Sequence, residues 1–180
     1  MQKAALINST RPGGTTLAKA SLKLISRSSE ETQQLGRIIG ELARSGDILL
    51  LSGPLGAGKT CLAQGIAQGL GVKENAASPS YVLMREFAGR LPLYHMDLYR
   101  LEFKEIAELG LDDYLYGHGV CVIEWAEKAV ALMPPEHIAI NLAYAGESER
   151  SIDILPSGTR YETMTRDLTA ALAPLKKDNI

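Results

Sequence analysis

The sequence predicts an α/β fold: a mixed, mainly parallel central sheet between helices, closed by a C-terminal antiparallel hairpin. Three observations carry this. Short apolar runs at 47–52 and 120–125 read as strands buried on both faces of a sheet. Strand-like and helix-like stretches alternate from residue 21 to about residue 125. Finally, 138–144 and 150–155 both alternate polar and apolar across the turn AGESE, as an antiparallel pair does.

Taken in order, SLKLIS (21–26) alternates like a strand. The following 28–46 reads as a helix. Ser28 and Glu31 fit a capping box, Leu35, Ile38, Ile39 and Leu42 recur at helical spacing, and Gly46 closes it. The strand at 47–52 leads into a glycine-rich stretch, and TCLAQGIAQGLG then reads as a helix ending at Gly69–Gly71. A loop at 72–80 precedes two strands, 81–87 and 91–97, joined by a tight turn. Residues 102–116 are helical in pattern until Gly117–Gly119 breaks them, and the chain from Thr159 reads as a loose helix. The division expected is a flexible extension at 1–20, one domain at 21–158 and a tail at 159–180.

Composition bounds the function. The chain has 180 residues, 46% apolar and 22% charged, enough for one well-buried domain. A net charge of −2 gives no broad electrostatic attraction to nucleic acid or acidic membranes, so contact with DNA is not expected and any RNA connection would be local or act through a partner. No apolar run approaches the roughly 20 residues that cross a bilayer. Cys61 and Cys121 form no CxxC pair and read as buried free thiols of a reducing compartment. Before Glu30 there are five basic residues and no acidic one, a composition shared with organelle transit peptides, although a plain extension ahead of the first strand accounts for it as well.

The stretch LLLSGPLGAGKT carries the chemistry. Gly53, Gly58, Lys59 and Thr60 match GxxxxGK[ST], with an apolar strand before and a helix after. Glycines at 53, 56 and 58 let the backbone fold so that successive N–H groups point at phosphate oxygens, and the helix adds its unpaired N-terminal donors. Leu55, Ala57 and Cys61 belong to the same phosphate-binding segment. Lys59 supplies an ammonium for the β- and γ-phosphates, and the Thr60 hydroxyl is a Mg²⁺ ligand. A nucleoside triphosphate and Mg²⁺ are the expected ligands of this P-loop.

Such a site also needs a carboxylate at the end of a neighbouring strand. Glu124, after the apolar 120–123, and Asp97, after 93–96, are the two candidates, and they can divide metal and water positioning between them. Trp125 reads as core or as a nucleotide contact, and Ser80 in the 78–80 loop as an ordinary turn or a switch-like hydroxyl. His95 is either catalytic or structurally hydrogen-bonded. The first turn of the early helix, 29–32, is a candidate for reading the base. No NKxD or DxxG segment supports a guanine-specific GTPase. Arg85, Arg90 and Arg100 are scattered rather than clustered as in the lid of a small-molecule kinase, which stands as the alternative enzyme. A nucleotide-dependent interaction module is a third reading.

GPLGAGKT, SPSYVLMREF, YHMDLYRL and VIEWAEKA occur in that order. Together they resemble the TsaE (YjeE) family over roughly Ser21 to Leu155. The resemblance implies a P-loop NTPase three-layer sandwich and a Mg²⁺-dependent ATPase of bacterial cytoplasm. It also implies a role in the threonylcarbamoyladenosine (t6A) modification of tRNA, with hydrolysis resetting the TsaB–TsaD complex between turnovers. Ser80 then matches the switch hydroxyl and Asp97 the acid needed for hydrolysis. Glu124 is placed near Mg²⁺ and Trp125 beside the nucleotide. Pro54 replaces the acid usual in GDLGAGKT, and Ser80 stands where threonine is usual.

Overall fold

The computed structural model describes residues 21–73 and 83–174. The expected extension at 1–20, the 78–80 loop with Ser80, and the last six residues lie outside them. Seven strands form one sheet in the order β1-β7-β6-β2-β5-β4-β3. They are β1 (Leu22–Ser26), β2 (Ile48–Ser52), β3 (Met84–Phe87), β4 (Leu93–Asp97), β5 (Val120–Glu124), β6 (His137–Tyr144) and β7 (Arg150–Ser157). The pairs β6/β2, β2/β5 and β5/β4 are parallel, whereas β1/β7, β7/β6 and β3/β4 are antiparallel. Only β7 and β3 therefore run against the rest. The sheet is mixed and mainly parallel, as the sequence predicts.

The continuous apolar runs explain the layering. Along β2, Leu49 and Leu51 pack into one core while Ile48 and Leu50 pack into another on the opposite face. On β5, Val120 and Val122 face the first and Cys121 and Ile123 the second. Helices α1 (Ser29–Leu42), α2 (Lys59–Gly69) and α5 (Thr159–Leu172) supply the first core. The second is covered by α3 (Phe103–Ala107), α4 (Asp112–Leu115) and the two short 3₁₀ turns after β5. The result is a three-layer sandwich with side chains alternating between two cores.

The start of α1 follows the expected cap with one shift. Ser28 Oγ accepts from the Glu31 N–H at 3.2 Å, but the Glu31 carboxylate reaches the Arg27 N–H, one residue before the cap. The far end of α1 is capped from outside by Arg90, whose guanidinium donates to the carbonyls of Gly40, Glu41 and Ala43. The helical pattern at 102–116 resolves into two short helices. Gly110, at φ +65°, turns the chain between them.

Helices α1 and α2 touch backbone to backbone. A β-carbon on Gly36 would stand 2.3 Å from the Leu62 carbonyl oxygen, and one on Gly40 2.3 Å from that of Ile66. From the other side, Gly65 and Gly69 meet the carbonyls of Gln33 and Arg37 at 2.1 Å each. GRIIG and GIAQG thus form one interlocked face with no room for a side chain.

The chain from Thr159 is a firmly packed helix of 14 residues, with Tyr161, Met164 and Leu168 in the first core. The Tyr161 hydroxyl accepts from the Ile48 N–H at 2.8 Å, and Arg160 pairs with buried Asp47 at the start of β2. Burial pushes the Tyr161 phenol up to about 12.

Candidate functional site

The site gathers at the C-terminal ends of β2, β5 and β4, where an open α/β sheet places its ligand crevice. Between β2 and α2, Gly56 (φ +76°) and Gly58 (φ +99°) adopt left-handed backbone that disfavours other residues. Gly53 is required for a second reason: a β-carbon there would stand 2.1 Å from the Leu142 carbonyl oxygen. Helix α2 starts at Lys59 behind Gly58 with no side-chain cap, so its first N–H groups remain available to the loop.

Lys59 is buried. Its Nζ donates to the carbonyls of Gly53 (2.6 Å) and Pro54 (2.9 Å) and lies 3.7 Å from the centre of the Trp125 ring. Burial lowers the pKa of its ammonium, opposed by the charges of Glu124, Glu127 and Asp97. Thr60 donates its hydroxyl hydrogen to Glu124 Oε2 at 2.8 Å. Glu124, only 2% exposed, holds a second contact through Oε1, 2.9 Å from His95 Nε2. Asp97 stands opposite Glu124 in the parallel register of β4 and β5, and its Oδ1 accepts from the Tyr99 N–H at 3.0 Å.

Trp125 closes the site with an unusual backbone. At φ +60° it is the one non-glycine residue in the left-handed region among the described residues. The Tyr99 ring leans on it, with centroids 4.7 Å apart. A large side chain held in that backbone region marks a site where surroundings over-determine the conformation.

Three comparisons bear on this arrangement. The family model for "Threonylcarbamoyl adenosine biosynthesis protein TsaE" matches residues 26–152. The chain belongs to the TsaE family. The TsaE protein of Bacillus subtilis is 43% identical over 141 residues, covering 78% of this chain and 89% of that protein. That of Treponema pallidum is 39% identical over 134 residues, covering 74% and 99%. Among solved structures, YdiB of Bacillus subtilis superposes with a TM-score of 0.75 at 38% identity, over 84% of this chain and 95% of that one. The fold class and the family are those the four sequence segments pointed to.

Within this TsaE-family chain, Gly53, Gly56, Gly58, Lys59, Thr60, Glu124, Asp97 and Trp125 come together at one end of the sheet. The remaining loop residues differ among themselves. Leu55 is 67% exposed at the loop tip, and Ala57 is fully buried. Cys61 is half-buried rather than buried, its Sγ 3.2 Å from the Ser29 carbonyl, while Cys121 is buried, with its thiol pushed up to about 12. The first turn of α1 therefore adjoins the loop, although Thr32 is buried and its hydroxyl bound to Ser26 Oγ and the Ser28 carbonyl. Arg90 is engaged in capping α1, and Arg85 stacks on Phe87 at 4.9 Å.

Two residues that the motifs do not mark also reach the loop. Tyr144, at the end of β6, donates its hydroxyl to the Leu55 carbonyl at 2.6 Å. Arg150, at the start of β7, lies 4.6 Å over the Tyr144 ring, with Nη2 3.5 Å from the Gly56 carbonyl. Their only trace in the sequence is the strand alternation of the hairpin.

No group of three or more His, Cys, Asp or Glu among the described residues is arranged to hold a metal ion. The donors present are one hydroxyl and two carboxylates, all hard oxygens. That set suits Mg²⁺, which typically takes one or two carboxylates and completes its octahedron with phosphates and water. It does not suit a softer metal held by nitrogen and sulfur. No helix of the described residues is long and apolar enough to cross a membrane.

Proposed function

We propose that this TsaE-family chain is a Mg²⁺-dependent ATPase of the t6A pathway, acting in the cytoplasm on the TsaB–TsaD complex. The observation that carries the reading is the contact of Thr60 with Glu124. It joins the last residue of GxxxxGKT to the acid at the end of the neighbouring strand, as phosphate chemistry at a P-loop requires. Loop N–H groups and Lys59 would neutralise the triphosphate, and Mg²⁺, when bound, supplies charge stabilisation at the transferred phosphoryl group.

The carboxylates divide the work by environment. Glu124 is buried and has a donor on each oxygen, which suits it to orient the Thr60 hydroxyl. Asp97 is half-buried at the adjacent strand end, which suits it to the metal's outer face or the attacking water. Turnover alone is expected to be slow, since Arg90 serves α1 and Arg150, which reaches the loop, is engaged with backbone carbonyls and the Tyr144 ring. The partner complex would accelerate it, and tRNA would be reached only through that complex.

Phosphate release from ATP by the purified chain tests this, with and without TsaB–TsaD, alongside tRNA modification over several turnovers. Release that needs Mg²⁺, rises with the partners and vanishes in Lys59→Ala is expected. Release that survives Lys59→Ala, or a modification reaction that proceeds equally well without this chain, would sink the reading.

A further inference from the structure

His95 lies in the middle of β4, two residues before Asp97, and is 1% exposed. Its Nε2 meets Glu124 Oε1 at 2.9 Å, and the other oxygen of that carboxylate takes the Thr60 hydrogen at 2.8 Å. A carboxylate only accepts, so Nε2 carries a hydrogen. The second ring nitrogen, Nδ1, is buried and has no hydrogen-bond partner among the described residues.

That orphan nitrogen separates two accounts of the residue. A histidine kept only for packing would be expected to satisfy both nitrogens or to give way to an apolar residue, as Leu93 and Met96 do on the same strand. Here the imidazole has one polar atom unsatisfied, and its single polar contact among the described residues is Glu124. We infer that His95 is a positioning residue for the phosphate chemistry. It pins Glu124 Oε1, so that Oε2 takes the Thr60 hydrogen and the Thr60 lone pairs stay turned toward a divalent cation. The inference rests on the reading of the loop as a Mg²⁺–triphosphate site; His95 itself touches neither phosphate nor metal in this scheme.

Two measurements on the full chain test it. Nitrogen-15 NMR of the imidazoles, assigned with His95→Gln, reads the tautomer directly. His95 should carry hydrogen on Nε2. His137 serves as the internal opposite, because its Nδ1 lies 2.7 Å from the Pro134 carbonyl and must donate there. A His95 ring without hydrogen on Nε2 overturns the inference whether or not any variant folds.

The second measurement compares His95→Gln with His95→Asn. A glutamine amide places a donor near Nε2, whereas the shorter asparagine places one near Nδ1 and falls short of Glu124. The readout is the Mg²⁺ concentration that half-saturates binding of a fluorescent ATP analogue. Glutamine should stay within about 3-fold of the unaltered protein. Asparagine should raise that concentration by about 10-fold, the scale on which outer-shell partners act, with metal-free nucleotide binding unchanged. Equal behaviour of the two variants, with Mg²⁺-dependent binding intact in the unaltered protein, overturns the inference alone. No Mg²⁺-dependent binding in the unaltered protein overturns the parent reading and the inference with it.

Discussion

The Nζ of Lys59 sits 3.7 Å above the centre of the Trp125 ring and is tied to two carbonyls of its own loop, those of Gly53 and Pro54. An ammonium has three donors and no acceptor, so two directions are spent on the loop and the third faces the indole. One side chain thus couples the glycine-rich loop to the only tryptophan in the sequence.

We expect that coupling to be visible. A triphosphate competing for the Lys59 ammonium would draw it from the ring, so Trp125 emission should change on titration with ATP and Mg²⁺. The change should be absent in Lys59→Met. A fluorescence response of full size in that variant would show that the indole reports something other than the lysine.

Tyr144→Phe removes the one donor that β6 gives to the Leu55 carbonyl while keeping the ring under Arg150. The carbonyl lies on an exposed loop tip and can be rehydrated, so the loss is expected near 0.5–1 kcal/mol. Nucleotide affinity should fall by about 2- to 5-fold with the melting temperature nearly unchanged. An unaltered affinity would mean that the hairpin does not set the loop's shape.

Gly65→Ala should destabilise the protein although alanine is the better helix former. The gain in propensity is about 1 kcal/mol, but the new β-carbon would stand 2.1 Å from the Gln33 carbonyl oxygen, and only a shift of a whole helix relieves that. A net loss of about 1–3 kcal/mol in urea unfolding is expected. Wild-type stability in this variant would contradict the backbone contact between α1 and α2.

Stability should fall in alkali for an identifiable reason. Tyr161 is raised from 10.0 to about 12 by burial, so between those values the unfolded chain has lost a proton that the native protein keeps. Stability therefore decreases as pH rises through that window, by about 1.4 kcal/mol per pH unit. Buried Cys121, raised from 9.0 to about 12, adds a decline of the same sign that begins earlier. Denaturant unfolding between pH 8 and 11.5 should show both. Tyr161→Phe should roughly halve the decline above pH 10, where Cys121 still contributes, and a slope unchanged there would refute the assignment.

Much of this molecule is written locally. The four-residue apolar runs of β2 and β5 read as strands covered on both faces, and GxxxxGKT is itself a local pattern between a strand and a helix. Glu124 and Asp97 were findable because a strand-end acid is a feature of position along one strand. What escaped is what depends on how distant segments meet. Tyr144 reaches Leu55 across 89 residues because β6 lies next to β2 in the sheet, an order that no spacing in the chain encodes. GRIIG and GIAQG look like helix-weakening glycines until it is known that their faces oppose each other. The left-handed backbone of Trp125 has no signal at all, since a tryptophan is among the residues least expected there.

The interlocked glycines carry an implication for how this protein can vary. Gly36, Gly40, Gly65 and Gly69 lie outside the GxxxxGKT motif that announces the site. Even so, each leaves no volume for a single methyl group, and the helix they hold is the one that presents Lys59 and Thr60. In a saturation mutagenesis scored by the yield of folded, working protein, these four positions should tolerate as little as the P-loop glycines do. A hidden seam between two helices would then look, to genetics, like a second active site.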